Sequence, residues 1–124
     1  MQTFLLISLG ALAGANLRYL VGQFSARFFS SSLPIGTLLI NISGSLILGF
    51  FLVWTGERVV ADPRWRLLIA VGFCGGYTTY SSYAYETFTL FERGQWLVCA
   101  GNIILTNVLC LLGTAAGAAL ARML

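Results

Sequence analysis

A chain of 124 residues with 58% apolar and 9% charged side chains, at a formal net charge of +3, cannot wet its own surface as a soluble domain does, since such domains carry about a quarter charged residues. The same arithmetic excludes a disordered chain, which needs polarity, a collagen-like repeat, which needs glycine at every third position, and a coiled coil, which needs charged flanks. An integral membrane protein remains.

A helix crossing about 30 Å of hydrocarbon needs roughly 20 apolar residues. Four such segments are predicted, at 3–23, 33–54, 67–91 and 96–121, joined by short pieces at 24–32, 55–66 and 92–95. They make a single transmembrane domain over 1–124. The lead Met1-Gln2-Thr3 lacks the Lys or Arg of a secretory leader, so the first segment reads as a retained span. On it Gly10, Gly14, Arg18 and Gly22 recur at intervals of four and share one face. The glycines read most simply as points of close helix packing. Arg18 either snorkels to the interface or faces an aqueous vestibule and attracts anions.

Pro34 marks the start of the second span. There Thr37, Asn41 and Ser45 share one face, an uncharged hydrogen-bonding stripe that serves either as glue between helices or as the lining of a path. Asp62 and Pro63 mark a turn before the third span. Here Gly72, Gly75 and Gly76 are followed by Thr78, Thr79, Ser81 and Ser82, a composition that weakens a helix and predicts a break in mid-membrane. Carbonyls freed at such a break must find partners in hydrocarbon, and a bound ion is one of them. Tyr77, Tyr80 and Tyr83 follow at a spacing of three. They form either a packing stripe or ring edges, electropositive at the rim, that can hold an anion. Glu86 closes the region, set to pair with an arginine such as Arg18 or to rest near the interface. The fourth span carries Asn102, Thr106, Cys110 and Thr114 on one face.

Trp54, Trp65 and Trp96 all fall at predicted span ends, where indole rings prefer the headgroup region. The side holding both termini carries Arg58, Arg64, Arg66 and Arg122 against Arg27 and Arg93 on the other. This modest bias favours cytoplasmic termini and leaves room for insertion in both orientations. The arginines are scattered between apolar runs, so no nucleic-acid face is formed. Cys74, Cys99 and Cys110 are odd in number, lie inside apolar runs and have no histidine to join them, which argues against a disulfide framework or a zinc site.

The run Gly75-Gly76-Tyr77-Thr78-Thr79-Tyr80-Ser81-Ser82-Tyr83, with Glu86 after it, resembles the signature of the Fluc (CrcB) fluoride channels. Gly36-Thr37-Leu38-Leu39-Ile40-Asn41 and Gly14-Ala15-Asn16-Leu17-Arg18 look like that family's second and first helix motifs. The resemblance covers the whole chain. It implies an all-α protein of the cell inner membrane, four helices with the third broken, paired as an antiparallel dual-topology homodimer with two pores that pass fluoride down its electrochemical gradient. It further implies a structural sodium ion at the dimer interface, held by backbone carbonyls of Gly75 and Thr78 from both chains. By the same likeness Asn41 donates hydrogen bonds to fluoride and Thr37 and Ser82 belong to a polar track. Tyr80 and Tyr83 hold the two ring positions, Thr106 and Cys110 face the pore, Arg18 sits in a vestibule and Glu86 has a structural or gating place.

Three positions depart from the family pattern: Tyr80 and Tyr83 stand where Phe is usual, Ala84 where a hydroxyl is common, and Cys110 where serine is common. A phenol adds a hydroxyl donor and a thiol is a weak one, which predicts a conducting channel with altered rate or altered tolerance of other anions. A small four-helix proton-coupled drug exporter is the nearest rival, but it relies on an acid in its first span, where this chain has Arg18. A non-transporting assembly subunit would use every stripe as helix glue. An enzyme is disfavoured because no nucleophile and base can be paired.

Overall fold

The computed structural model describes residues 1–58 and 62–124. Residues 59–61 of the predicted joining piece 55–66 and the side chain of Arg58 lie outside this description. The first helix runs Gln2–Phe28, five residues past its predicted end. Nothing between Gln23 and Phe28 breaks a helix, and Arg27 in the last turn complements the negative C-terminal dipole. The second helix covers Ile35–Val53 and continues through one π-helical turn, Trp54–Arg58. The last helix covers Trp96–Met123.

Between them lies a discontinuous element. Its leading half opens with Pro63–Trp65, capped by the Asp62 side chain, then runs as a π-helix over Arg66–Cys74 and closes with Gly75–Tyr77. Thr78 and Thr79 are extended (φ −78°, ψ 159° and φ −150°, ψ 114°), and the trailing half-helix follows at Tyr80–Glu92. The predicted break is present, and of the glycine and hydroxyl residues expected to weaken the helix it is the hydroxyl ones that carry it. Gly75 keeps helical angles (φ −63°, ψ −35°), and the two threonines make the interruption. Their hydroxyls offer the backbone partners that a helix would otherwise supply.

The glycines instead set how closely helices approach. A Cβ at Gly10 or Gly14 would collide with the backbone of Leu68 or Phe73, and one at Gly72 or Gly76 would lie 2.7 Å from the Ile7 carbonyl oxygen or 2.6 Å from that of Ala11. The first helix and the leading half-helix therefore meet backbone to backbone. The second and last helices form a similar pair, Gly49 against Thr114 and Gly117 against Leu46 and Phe50. Without a hydrophobic force between helices in lipid, such small-residue contacts are what hold them together. Gly22 is different. No atom lies within 4 Å of the position its Cβ would take.

Burial is inverted relative to a soluble protein. Asn102 is 1% exposed and Thr106 7%, whereas Leu97 is 89% and Leu111 72% exposed. Among the described residues three helices, Gln2–Phe28, Ile35–Glu57 and Trp96–Met123, are long and apolar enough to cross a membrane. The described residues are thus all helical or connecting, with three such helices and a broken one, as in a membrane protein.

Candidate functional site

The site is built around Asn41 and Thr79, 38 residues apart in sequence. Asn41 Nδ2 donates to the Thr79 carbonyl at 3.0 Å, and the Thr79 N–H donates to Asn41 Oδ1 at 2.9 Å. One buried amide therefore satisfies both backbone groups of an extended residue, a role that water cannot take in hydrocarbon. The Thr79 hydroxyl accepts from the Ser82 N–H at 3.2 Å, capping the trailing half-helix, and donates to Ser82 Oγ at 3.0 Å. In an unbroken helix the N–H groups of Thr79 and Ser82 would return to the carbonyls of Gly75 and Thr78. Here both are given elsewhere. Thr78 turns its own hydroxyl back to the Cys74 carbonyl at 2.9 Å.

Two cavities border this break, and Thr79 lines both. The first is a groove of about 360 Å³ bordered by Asn41, Thr78, Tyr80, Tyr83, Thr106 and Cys110. Its rings are tilted by 57° with centroids 5.5 Å apart. Tyr83 is 8% exposed and Tyr80 80%, so one ring belongs to the interior and the other to the outer surface of the protomer. The Tyr83 hydroxyl accepts from Asn107 Nδ2 at 3.3 Å. The Thr106 hydroxyl lies 3.5 Å from Asn102 Oδ1, to which it donates, and Asn102 in turn donates to the Thr87 hydroxyl at 2.8 Å. Among the described residues no charged side chain lines this groove.

The second cavity, about 650 Å³, brings together Arg18, Thr37, Ser82 and Glu86. The Thr37 hydroxyl donates to Glu86 Oε1 at 2.7 Å. Glu86 and Arg18 share the cavity, yet the ion pairs found among the described residues are Arg64–Asp62 and Arg122–Glu57. Of the two placements expected for Glu86, pairing with Arg18 is thus replaced by a hydrogen bond from the second helix. Gly22 contributes open space on the Arg18 face, which places that arginine beside a cavity.

Residues 5–118 match the family described as "CrcB-like protein, Camphor Resistance (CrcB)". The chain belongs to the CrcB family. It is 53% identical over 121 residues, 98% of its length and 96% of the relative's, to a Koribacter versatilis protein named "Fluoride-specific ion channel FluC". It is 48% identical over 124 residues, the full length of both chains, to a Sulfurihydrogenibium protein of the same name. A Rhodospirillum rubrum relative, also so named, is 44% identical over 114 residues, 90% of this chain and 88% of its own.

In this CrcB chain the expected polar positions fall into two groups. Asn41, Tyr80, Tyr83, Thr106 and Cys110 gather in the groove, while Thr37, Ser82, Arg18 and Glu86 gather in the larger cavity. Gly75 lies on the protomer surface with no atom within 4 Å of the place of a Cβ. Thr79, the residue common to both chambers, stands in the quoted motif without a role of its own; a threonine just ahead of a helical run is the cap signal that marks it. Asn107 sits one position off the stripe counted at intervals of four on the last helix, and Thr87 one position past Glu86. Their side chains reach the same network, which a single helical face does not reveal.

Proposed function

We infer that this chain is a fluoride-specific ion channel of the plasma membrane, a passive conductor and not an enzyme, that lowers cytoplasmic fluoride. The observation that carries the reading is the pair of chambers that share Thr79 and are bordered by hydroxyl and amide side chains, in a chain that matches relatives of that name over 96% and 100% of their length. Fluoride is small, strongly hydrated and a good acceptor. A path must offer donors in place of water, and neutral donors permit exit as well as binding. Asn41 spends one Nδ2 proton on Thr79, and its amide keeps a second for an anion. An inside-negative potential contributes about 2.3 kcal/mol per 100 mV toward expelling one negative charge.

The working unit is an antiparallel homodimer of dual-topology chains, each crossing the membrane four times with 67–91 as the third, broken span. The 80% exposure of Tyr80 and the open backbone at Gly75 support this, since both await a covering surface. The carbonyls of Gly75 and Thr78, relieved of their helical donors, suit a hard cation that prefers oxygen. Two from each chain would hold a sodium ion at the dimer centre, where it would neutralise oxygen dipoles and join the protomers.

Purified protein in liposomes, followed with a fluoride electrode after a potassium ionophore is added, tests this. Rapid fluoride efflux with little chloride movement is expected. Proton-coupled export of a cationic dye, or no flux of either anion, would overturn the channel in favour of an exporter or an assembly subunit.

A further inference from the structure

Glu86 is the only acid inside a predicted span, and its two oxygens differ sharply. Oε1 accepts from Thr37 at 2.7 Å, whereas Oε2 is buried with no hydrogen-bond partner. An ionised carboxylate with a buried, unpaired oxygen is costly. Other ionisable groups near it are Arg18 and Tyr19, which line the cavity from the first helix, and Cys99, whose thiol on the last helix donates to the Thr87 carbonyl. The second helix presents Thr37 and no charge there. A carboxylate at this point would also repel the anion that the cavity is built to pass.

We propose that Glu86, a lining residue of the Arg18 cavity, works as a neutral carboxylic acid with its proton on Oε2 and serves as a hydrogen-bond donor to the permeating anion. This deepens the channel reading and rests on it. Thr37 holds Oε1 and thereby leaves Oε2 as the site of the proton. Because the Thr37 proton is spent on Glu86, the acid restores a donor to that stretch of wall between Arg18 and Ser82. No proton transfer is involved. Hydrogen fluoride is a stronger acid than a carboxylic acid, so the proton stays on Glu86 while fluoride moves on.

Infrared difference spectroscopy of the whole protein in liposomes, wild type against Glu86→Gln, reads the proton directly and does not depend on conduction. The expected result is a protonated-carboxyl stretch at neutral pH that vanishes in the variant; its absence in the wild type would overturn the proposal even if fluoride flux is normal. In parallel, wild-type flux should fall as pH rises through the Glu86 titration, and Glu86→Gln, which keeps an N–H donor at Oε2, should lose that dependence. Flux should stay within about threefold of wild type in Glu86→Gln and drop about tenfold or more in Glu86→Leu, as removal of one buried donor predicts. Equal loss in both variants, or wild-type flux rising with pH, would show a charged role instead. A chain that conducts no fluoride while showing the infrared band would sink the channel reading and leave the proton assignment standing.

Discussion

The two chambers on either side of Thr79 are made from different chemistry. The groove beside Tyr80 and Tyr83 is bordered by amide, hydroxyl, thiol and phenol side chains, and half of its aromatic pair lies on the protomer surface. The larger cavity holds an arginine and an acid. An anion path needs attraction at a mouth, where a full charge raises local concentration, and weak, exchangeable contacts in its narrow part, where a full charge would trap the ion. The contrast teaches that the break is more than a weak point in a helix. It is a wall that the two chambers share at Thr79.

The division can be attacked from both sides. The largest effect is expected for Asn41→Asp, which places an anion in the groove and removes the donor to the Thr79 carbonyl. An unpaired buried charge is worth about 3–5 kcal/mol, so fluoride efflux should fall at least a hundredfold; flux near wild type would remove Asn41 from the path. Thr79→Val keeps shape but deletes the cap and the link to Ser82. Loss of a cap is worth about 1 kcal/mol, so a lower melting temperature should accompany a roughly tenfold loss of flux, affecting both chambers together.

Arg18→Gln should act on the cavity alone. A several-fold loss of flux, greatest at low fluoride and low ionic strength, is the signature of a steering charge, and it should be absent from variants of Tyr80 or Tyr83. The smallest change is expected for Tyr83→Phe. It removes an acceptor from Asn107, whose amide keeps its 2.7 Å bond to the Ile103 carbonyl, so the cost is about 1 kcal/mol or less. Chloride leak through that variant, compared with wild type, would show whether the phenol sets anion tolerance.

Much of this was legible beforehand. Composition demanded a membrane, Pro34 placed the second helix, and the interval of four put Thr37 and Asn41 on one face. Phase along a helix says which side a residue occupies, however, and not what it meets. Nothing local to Asn41 names Thr79 as its partner, and nothing local to Thr37 and Ser82 separates them from Asn41 into another chamber. The glycines near 75 carry less of the break than the hydroxyl residues beside them, for a related reason. Glycine weakens an isolated helix, yet at Gly72 and Gly76 its missing side chain is used by the neighbouring helix, and that neighbour keeps the turn intact.

The amide of Asn41 acts as a splint, set within a single protomer across a fracture in its own backbone. A solitary chain in the bilayer therefore already has both backbone groups of Thr79 paired, with no help from a second chain.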